Sequence, residues 1–145
     1  AYYIFTRALF EGRPIRLFNH GRMARDFTYV DDVVEGLVRL LPCPAEPDPA
    51  FDRETPDPAR SWAPHRVFNI GNTRMERLGD LVAHLERLTG RTARVEHAEM
   101  QPGDVTETWA DISALAEVTG YVPQTGLADG LARFVAWYRD WHGVV

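Results

Sequence analysis

A single cysteine, Cys43, stands among 145 residues, so no internal disulfide can form. Cysteine use this sparse fits a reducing cytoplasm, and the expected location is cytoplasmic. No apolar run approaches the roughly 20 residues of a membrane span, and no segment has the order of a signal peptide. Positive charge is also short: the formal net charge is −5, which argues against a general nucleic-acid binder but leaves room for a local arginine to hold an anion. Five histidines, His20, His65, His84, His97 and His142, are scattered without ligand spacing, and one cysteine cannot complete a zinc site. No Ser/His/Asp set is brought together by spacing. Glu86, Glu96 and Glu99 could serve as active-site acids, but solvated surface is the preferred reading. No G-x-G-x-x-G turn follows a strand, so the dinucleotide fingerprint is lacking.

What is present is an ordinary globular composition, 45% apolar and 26% charged. Residues 1–145 have the length of one domain, enough to bury about 70% of the unfolded surface. The opening AYYIFTRALFEG is already helical and stops at Gly12, so the chain is expected to be a piece of a longer one. Strands are expected over 14–19 and 26–30, separated by a turn at 20–24. A helix follows from Asp32 to Leu41, with Val34, Leu37, Val38 and Leu41 on one face. Asp31 and Asp32 are expected to cap it. Residues 42–64 hold seven prolines in 23 positions and form a loop. HRVFNIG (65–71) reads as a strand. Thr73 and Glu76 have the spacing of a capping box for a helix bearing Leu78, Leu81, Val82, Leu85 and Leu88, closed by Gly90. Further strands are expected at 93–99 and 108–112. Short helical residues 114–118 stop at Gly120, and a last helix spans 127–141 with Leu127, Leu131, Phe134, Val135 and Tyr138 inward. Strands alternating with helices make an α/β domain.

Three places could carry chemistry. MARDFTYVDD (23–32) puts Arg25 where a strand feeds a helix, the kind of junction at which open α/β folds collect ligands. Its guanidinium could grip a phosphate with two parallel hydrogen bonds, or pair with Asp26 or Asp104. MQPGD (100–104) could be a ligand turn, with Gln101 donating and accepting and Asp104 accepting from a sugar diol, or a plain type II turn. Phe18 could stack on a flat base or fill core.

The segments FNHGRMARDFTYVDDVVEG, FNIGN, MQPGDVTETWADIS and GLARFVAWYRD resemble, in this order, the C-terminal half of UDP-glucuronate 4-epimerases, which are extended short-chain dehydrogenase/reductases. The resemblance covers essentially the whole chain. It implies a small substrate-binding α/β domain of mixed short strands and helices without its Rossmann half. That half would bind NAD and carry a catalytic Tyr-x-x-x-Lys. None of Tyr2, Tyr3, Tyr29, Tyr121 and Tyr138 is followed by Lys four residues on. No catalytic, cofactor or metal residue is therefore expected here, and the chain alone would be inactive. In the implied reaction the C4 hydride passes to NAD, the 4-keto sugar turns, and hydride returns to the opposite face. This chain would hold the UDP end meanwhile. By position, Arg25 would meet the pyrophosphate, Phe18 would stack on uracil, and the backbone around Leu17 would read the base edge. Asp104 would take the ribose hydroxyls, with Gln101 and Met23 nearby. Many relatives have arginine at the place of Gln101, so the departure bears on how tightly phosphate is held. Expected partners are a UDP-sugar, the Rossmann half and further copies of the chain, with no nucleic acid or membrane. A dehydratase or decarboxylase of the same family, and a non-catalytic binding module, are the other readings.

Overall fold

Four strands of three residues each and five helices organise the chain, and the computed structural model describes residues 1–145. Helix α1 spans Tyr2–Glu11, and β1 spans Ile15–Leu17. Strand β2 is Ala24–Asp26, followed by α2 at Val30–Leu40. After the proline-rich loop come β3 (Met75–Arg77) and α3 (Leu78–Thr89). Strand β4 (Val95–His97), α4 (Ser113–Thr119) and α5 (Leu127–His142) complete the order. The strands form two separate pairs. β1 and β4 run parallel with Leu17 opposite His97, and β2 and β3 run antiparallel with Arg25 opposite Glu76.

The main core is built by four elements. Phe5, Ala8 and Leu9 of α1, Ile15 and Leu17 of β1, Leu81, Val82 and Leu85 of α3, and Leu127, Leu131 and Val135 of α5 pack into one cluster. These are the stripes that helical spacing predicts, and their burial supplies most of the hydrophobic stabilisation. Arg139 of α5 locks the arrangement by donating to the carbonyls of Leu88 and Thr89 at the end of α3, both at 3.2 Å.

α2 differs from its expected role. Val34, Leu37, Val38 and Leu41, expected to face inward, are 51%, 51%, 52% and 80% exposed, and none joins the main core. The helix instead rests on its small face: at Gly36 an added Cβ would touch Leu115, Ile70 and Tyr121 at 3.6–3.8 Å. The apolar stripe points outward, so periodicity identified the stripe correctly but not what covers it.

Several local expectations also give way to tertiary pairing. The first strand stops at Leu17, because Asn19 and His20 take left-handed backbone angles, φ 49° and 53°. The strand expected at 26–30 is Ala24–Asp26, and the helix begins at Val30. Thr73 does not cap α3: it sits at φ 59°, Arg77 is the N-cap, and residues 75–77 are drawn into the ladder with β2. Residues 65–71 make no ladder beyond one bridge between Arg60 and Arg66, and 108–112 make none. Asp32 does not cap its own helix. Its carboxylate reaches the 121–125 segment, accepting from the Tyr121 hydroxyl at 2.7 Å and the Thr125 amide at 2.9 Å. No helix is long and apolar enough to cross a membrane.

Candidate functional site

Two polar groups of the expected site meet across 79 residues of chain. Arg25 on β2 donates through Nη2 to Asp104 Oδ1 at 3.1 Å. Of the two carboxylates within reach of Arg25 by sequence, Asp26 and Asp104, the guanidinium takes Asp104. The other, Asp26, faces elsewhere: its carboxylate accepts from the amides of Asn72 (2.7 Å), Thr73 (3.1 Å) and Ala110 (3.2 Å). The Arg25 guanidinium makes three further bonds to carbonyls, from Nη1 to Ala24 (2.9 Å) and Thr106 (3.0 Å) and from Nη2 to Val105 (2.7 Å). Its side chain stays about a quarter exposed and that of Asp104 about a third. A charged pair this close to solvent contributes modestly to stability but sets geometry.

The turn that presents Asp104 is built by its own residues. The Asp104 amide donates to the Gln101 carbonyl at 3.1 Å, and Gly103 takes φ 83°, the third-position geometry of a type II turn. Glycine is needed there because a side chain is strained at that angle. Gln101 itself is exposed, its amide unbonded to protein. Asp104 Oδ1 also accepts from the Val105 amide at 2.9 Å, whereas Oδ2 accepts nothing from the protein.

The apolar members of the expected site lie at the end of β1. The Leu17 carbonyl accepts from the Ala98 amide at 2.9 Å and its side chain is buried, so the backbone there is tied into the β1–β4 edge. Phe18 is half-buried and outside the main core, and the Arg16 guanidinium lies over its ring at 5.1 Å. Strand alternation places residues i and i+2 on one side, so this Arg16–Phe18 stack was available to sequence reasoning and was missed. Met23 is buried, and its carbonyl accepts from the Leu78 amide at 2.9 Å. It supports β2 and is not presented to solvent. The short connection 98–101 joins the Phe18 edge to the Gln101–Asp104 turn. Histidine 20 donates from its backbone amide to the Ala98 carbonyl, and its ring meets Glu99 at 3.1 Å. No group of three or more His, Cys, Asp or Glu side chains could hold a metal.

The two junctions where a strand feeds a helix place Tyr29 and Arg77 at the N-cap position, with no side-chain cap bond and no glycine turn. What the chain offers is a guanidinium in contact with a carboxylate that keeps one free oxygen, the exposed Gln101 in the turn beside them, and the half-buried ring of Phe18 at the end of β1. Such a set suits a polar ligand with a planar group and hydroxyls.

A small α/β scaffold of this kind is that of the C-terminal portion of nucleotide-sugar epimerases and dehydratases of the extended short-chain dehydrogenase/reductase class. The chain belongs to the GDP-mannose 4,6-dehydratase family, whose model matches residues 6–134. It is 42% identical over 142 residues to the Staphylococcus aureus protein CapI, covering 98% of this chain and 42% of that protein. It is 40% identical to a probable UDP-glucuronate 4-epimerase of Rhizobium meliloti, covering 95% and 41%. Among solved structures it resembles the UDP-glucuronic acid 4-epimerase of Bacillus cereus in complex with UDP-glucuronic acid and NAD. There the TM-score is 0.76 at 28% identity, over 97% of this chain and 40% of that one. The chain thus spans about two-fifths of the length of the relatives it matches.

Proposed function

We propose that this chain is the substrate-binding portion of an NAD-dependent epimerase that inverts C4 of UDP-glucuronate. The observation that carries the reading is the meeting of Arg25 on β2 with Asp104 of the Gln101–Asp104 turn. The relatives' names and the ligands of the Bacillus cereus structure support the choice of sugar.

Each residue then has a task. Phe18 stacks on uracil, and the tied backbone at Leu17 lies along the base edge. Asp104 offers Oδ2 to the ribose hydroxyls. Arg25 sets positive charge beside the pyrophosphate, with Gln101 as an added polar contact and Met23 supporting the strand beneath. Anchoring the remote UDP group converts its binding energy into orientation of the reacting sugar. NAD supplies the redox chemistry when bound, and we assign it to a complementary Rossmann portion with the catalytic tyrosine and lysine. This chain by itself is therefore inactive, and the complete protein is cytoplasmic. The outward stripe of α2 is the surface we assign to that complementary portion, and copies of the chain alone would self-associate through it.

The test is calorimetric titration of the chain with UDP and UDP-glucuronate, followed by incubation of the full-length protein with UDP-glucuronate and NAD. Saturable binding and appearance of the C4 epimer are expected. The matching family model is that of a dehydratase, so a second reading is sugar dehydration; a 4-keto-6-deoxy product from a UDP-hexose and no epimer would favour it.

A further inference from the structure

We infer that Arg25 is a positioning residue for Asp104, in addition to any charge it lends a phosphate; the inference rests on the nucleotide reading above. A guanidinium has five N–H donors. The four on Nη1 and Nη2 match four protein acceptors: the carbonyls of Ala24, Thr106 and Val105, and Asp104 Oδ1. Only Nε–H has no protein acceptor. A bidentate grip on a phosphate needs two parallel N–H groups, and here those groups hold the protein instead.

Three of the four acceptors belong to consecutive residues, 104, 105 and 106. Burial does not hold this segment, since Val105, Thr106, Glu107 and Thr108 are all exposed. Its other ties are two backbone bonds to Ala24, from the Ala24 amide to the Thr106 carbonyl (2.9 Å) and from the Thr108 amide to the Ala24 carbonyl (3.2 Å). Arg25 is thus the chief side-chain clasp on the segment. Its effect on Asp104 is directional. Arg25 Nη2 and the Val105 amide both converge on Oδ1, which restrains the carboxylate's rotation and leaves Oδ2 without a protein donor on a side chain about a third exposed. An oriented carboxylate oxygen at the surface is an acceptor for a vicinal diol, so Arg25 contributes to ribose recognition through Asp104.

The test uses the full-length natural protein, UDP, and the 2′,3′-dideoxy analogue of UDP, which keeps base and pyrophosphate but lacks the diol. Arg25→Ala is expected to weaken UDP by about tenfold more than it weakens the analogue, the scale of one charge-assisted hydrogen bond. Arg25→Lys keeps the charge but cannot span four acceptors, and it is expected to show the same difference. In an Asp104→Ala background, Arg25→Ala is expected to remove this difference entirely. Equal losses for UDP and the analogue would overturn the inference, because a pyrophosphate anchor or general structural damage acts on both. Wild-type protein that binds neither ligand would overturn the nucleotide reading itself, a separate outcome.

Discussion

The hydroxyl of Tyr121 donates a 2.7 Å hydrogen bond to Asp32 Oδ1, joining the first turn of α2 to the segment that leads into α5. Asp32 is buried, and it also accepts from the amides of Gln124 and Thr125. Burial alone would raise its carboxyl, but the bonds from Tyr121, Thr125 and Gln124 together outweigh this and hold it below the ordinary value. Burial, and then the bond to Asp32, push the tyrosine up to about 12. Tyr121→Phe leaves one oxygen of a buried carboxylate short of a donor, and is expected to cost about 1–3 kcal/mol in denaturant unfolding near neutral pH.

The pair also fixes a pH dependence. A tyrosine with a raised folded value stabilises fully below its unfolded value of 10.0, and that stability is lost as pH rises toward about 12. Asp32, with a lowered folded value, stabilises above its unfolded value of 3.8 and loses that contribution as pH falls below it. The gap in melting temperature between wild type and Tyr121→Phe should therefore be widest on the plateau between these limits and should close between pH 10 and 12. A gap that stays constant to pH 12 would show that the hydroxyl bond is not the source of the effect.

Gly71 is held where no side chain fits. A Cβ there would overlap Ala110 Cβ and lie 2.8 Å from Asp26 Oδ2. Both neighbours are constrained, since Asp26 already fastens the amides of Asn72, Thr73 and Ala110. Gly71→Ala is expected to destabilise by about 1–3 kcal/mol, the usual cost of overpacking. Asp26→Asn in the same assay should be comparably harmful, because the three amides lose a charged acceptor. Chemical denaturation of both variants checks this, and a wild-type midpoint for Gly71→Ala would mean the two segments can separate freely.

The helices of the main core were legible because their signals are local. Leu78, Leu81, Val82 and Leu85 recur at helical spacing, and Gly12 and Gly90 follow the ends of α1 and α3. The misreadings at Thr73–Glu76 and at Asp32 share one cause, competition between a local pattern and a distant partner. Thr73 and Glu76 have capping spacing, but Glu76 stands opposite Arg25 in the β2–β3 ladder. VFNI has strand composition, yet no neighbouring strand within the chain pairs with it. Asp32 looks like a cap and instead binds residues 89 to 93 positions away. For the site, the residue types at Arg25 and Asp104 were readable from the motif. Their pairing needs β2 and the 101–104 turn side by side, which no short-range pattern encodes.

Arg139 gives a test of how α3 and α5 are joined. Its Nη2 donates to the last carbonyls of α3 and its guanidinium lies 5.7 Å from the Phe10 ring centroid, so one side chain ties α5 to both α3 and α1. Cations at helix C-termini gain from the helix dipole as well as from the bonds themselves. Arg139→Met keeps much of the aliphatic packing but removes both contributions, and is expected to lower stability by about 1–2 kcal/mol. The measurement is a thermal melt of Arg139→Met beside Arg139→Lys. Lysine should recover part of the loss through its charge, whereas no loss in Arg139→Met would assign the helix contact to apolar packing alone.

The stripe on α2 separates folding from assembly. Leu37 is half exposed and outside the main core, so Leu37→Glu removes little burial within this chain. Surface changes of this kind usually alter stability by less than about 0.5 kcal/mol. If the stripe is where a complementary portion packs, the same substitution puts a charge into an apolar contact and leaves it without a partner, a cost of several kcal/mol. Leu37→Glu is therefore expected to leave the chain's own unfolding midpoint nearly unchanged while destabilising the full-length protein. Differential scanning calorimetry of both forms checks the split. A full-length protein that tolerates Leu37→Glu as well as the isolated chain does would show that α2 faces solvent there, and the assignment of the stripe to a complementary portion would fall.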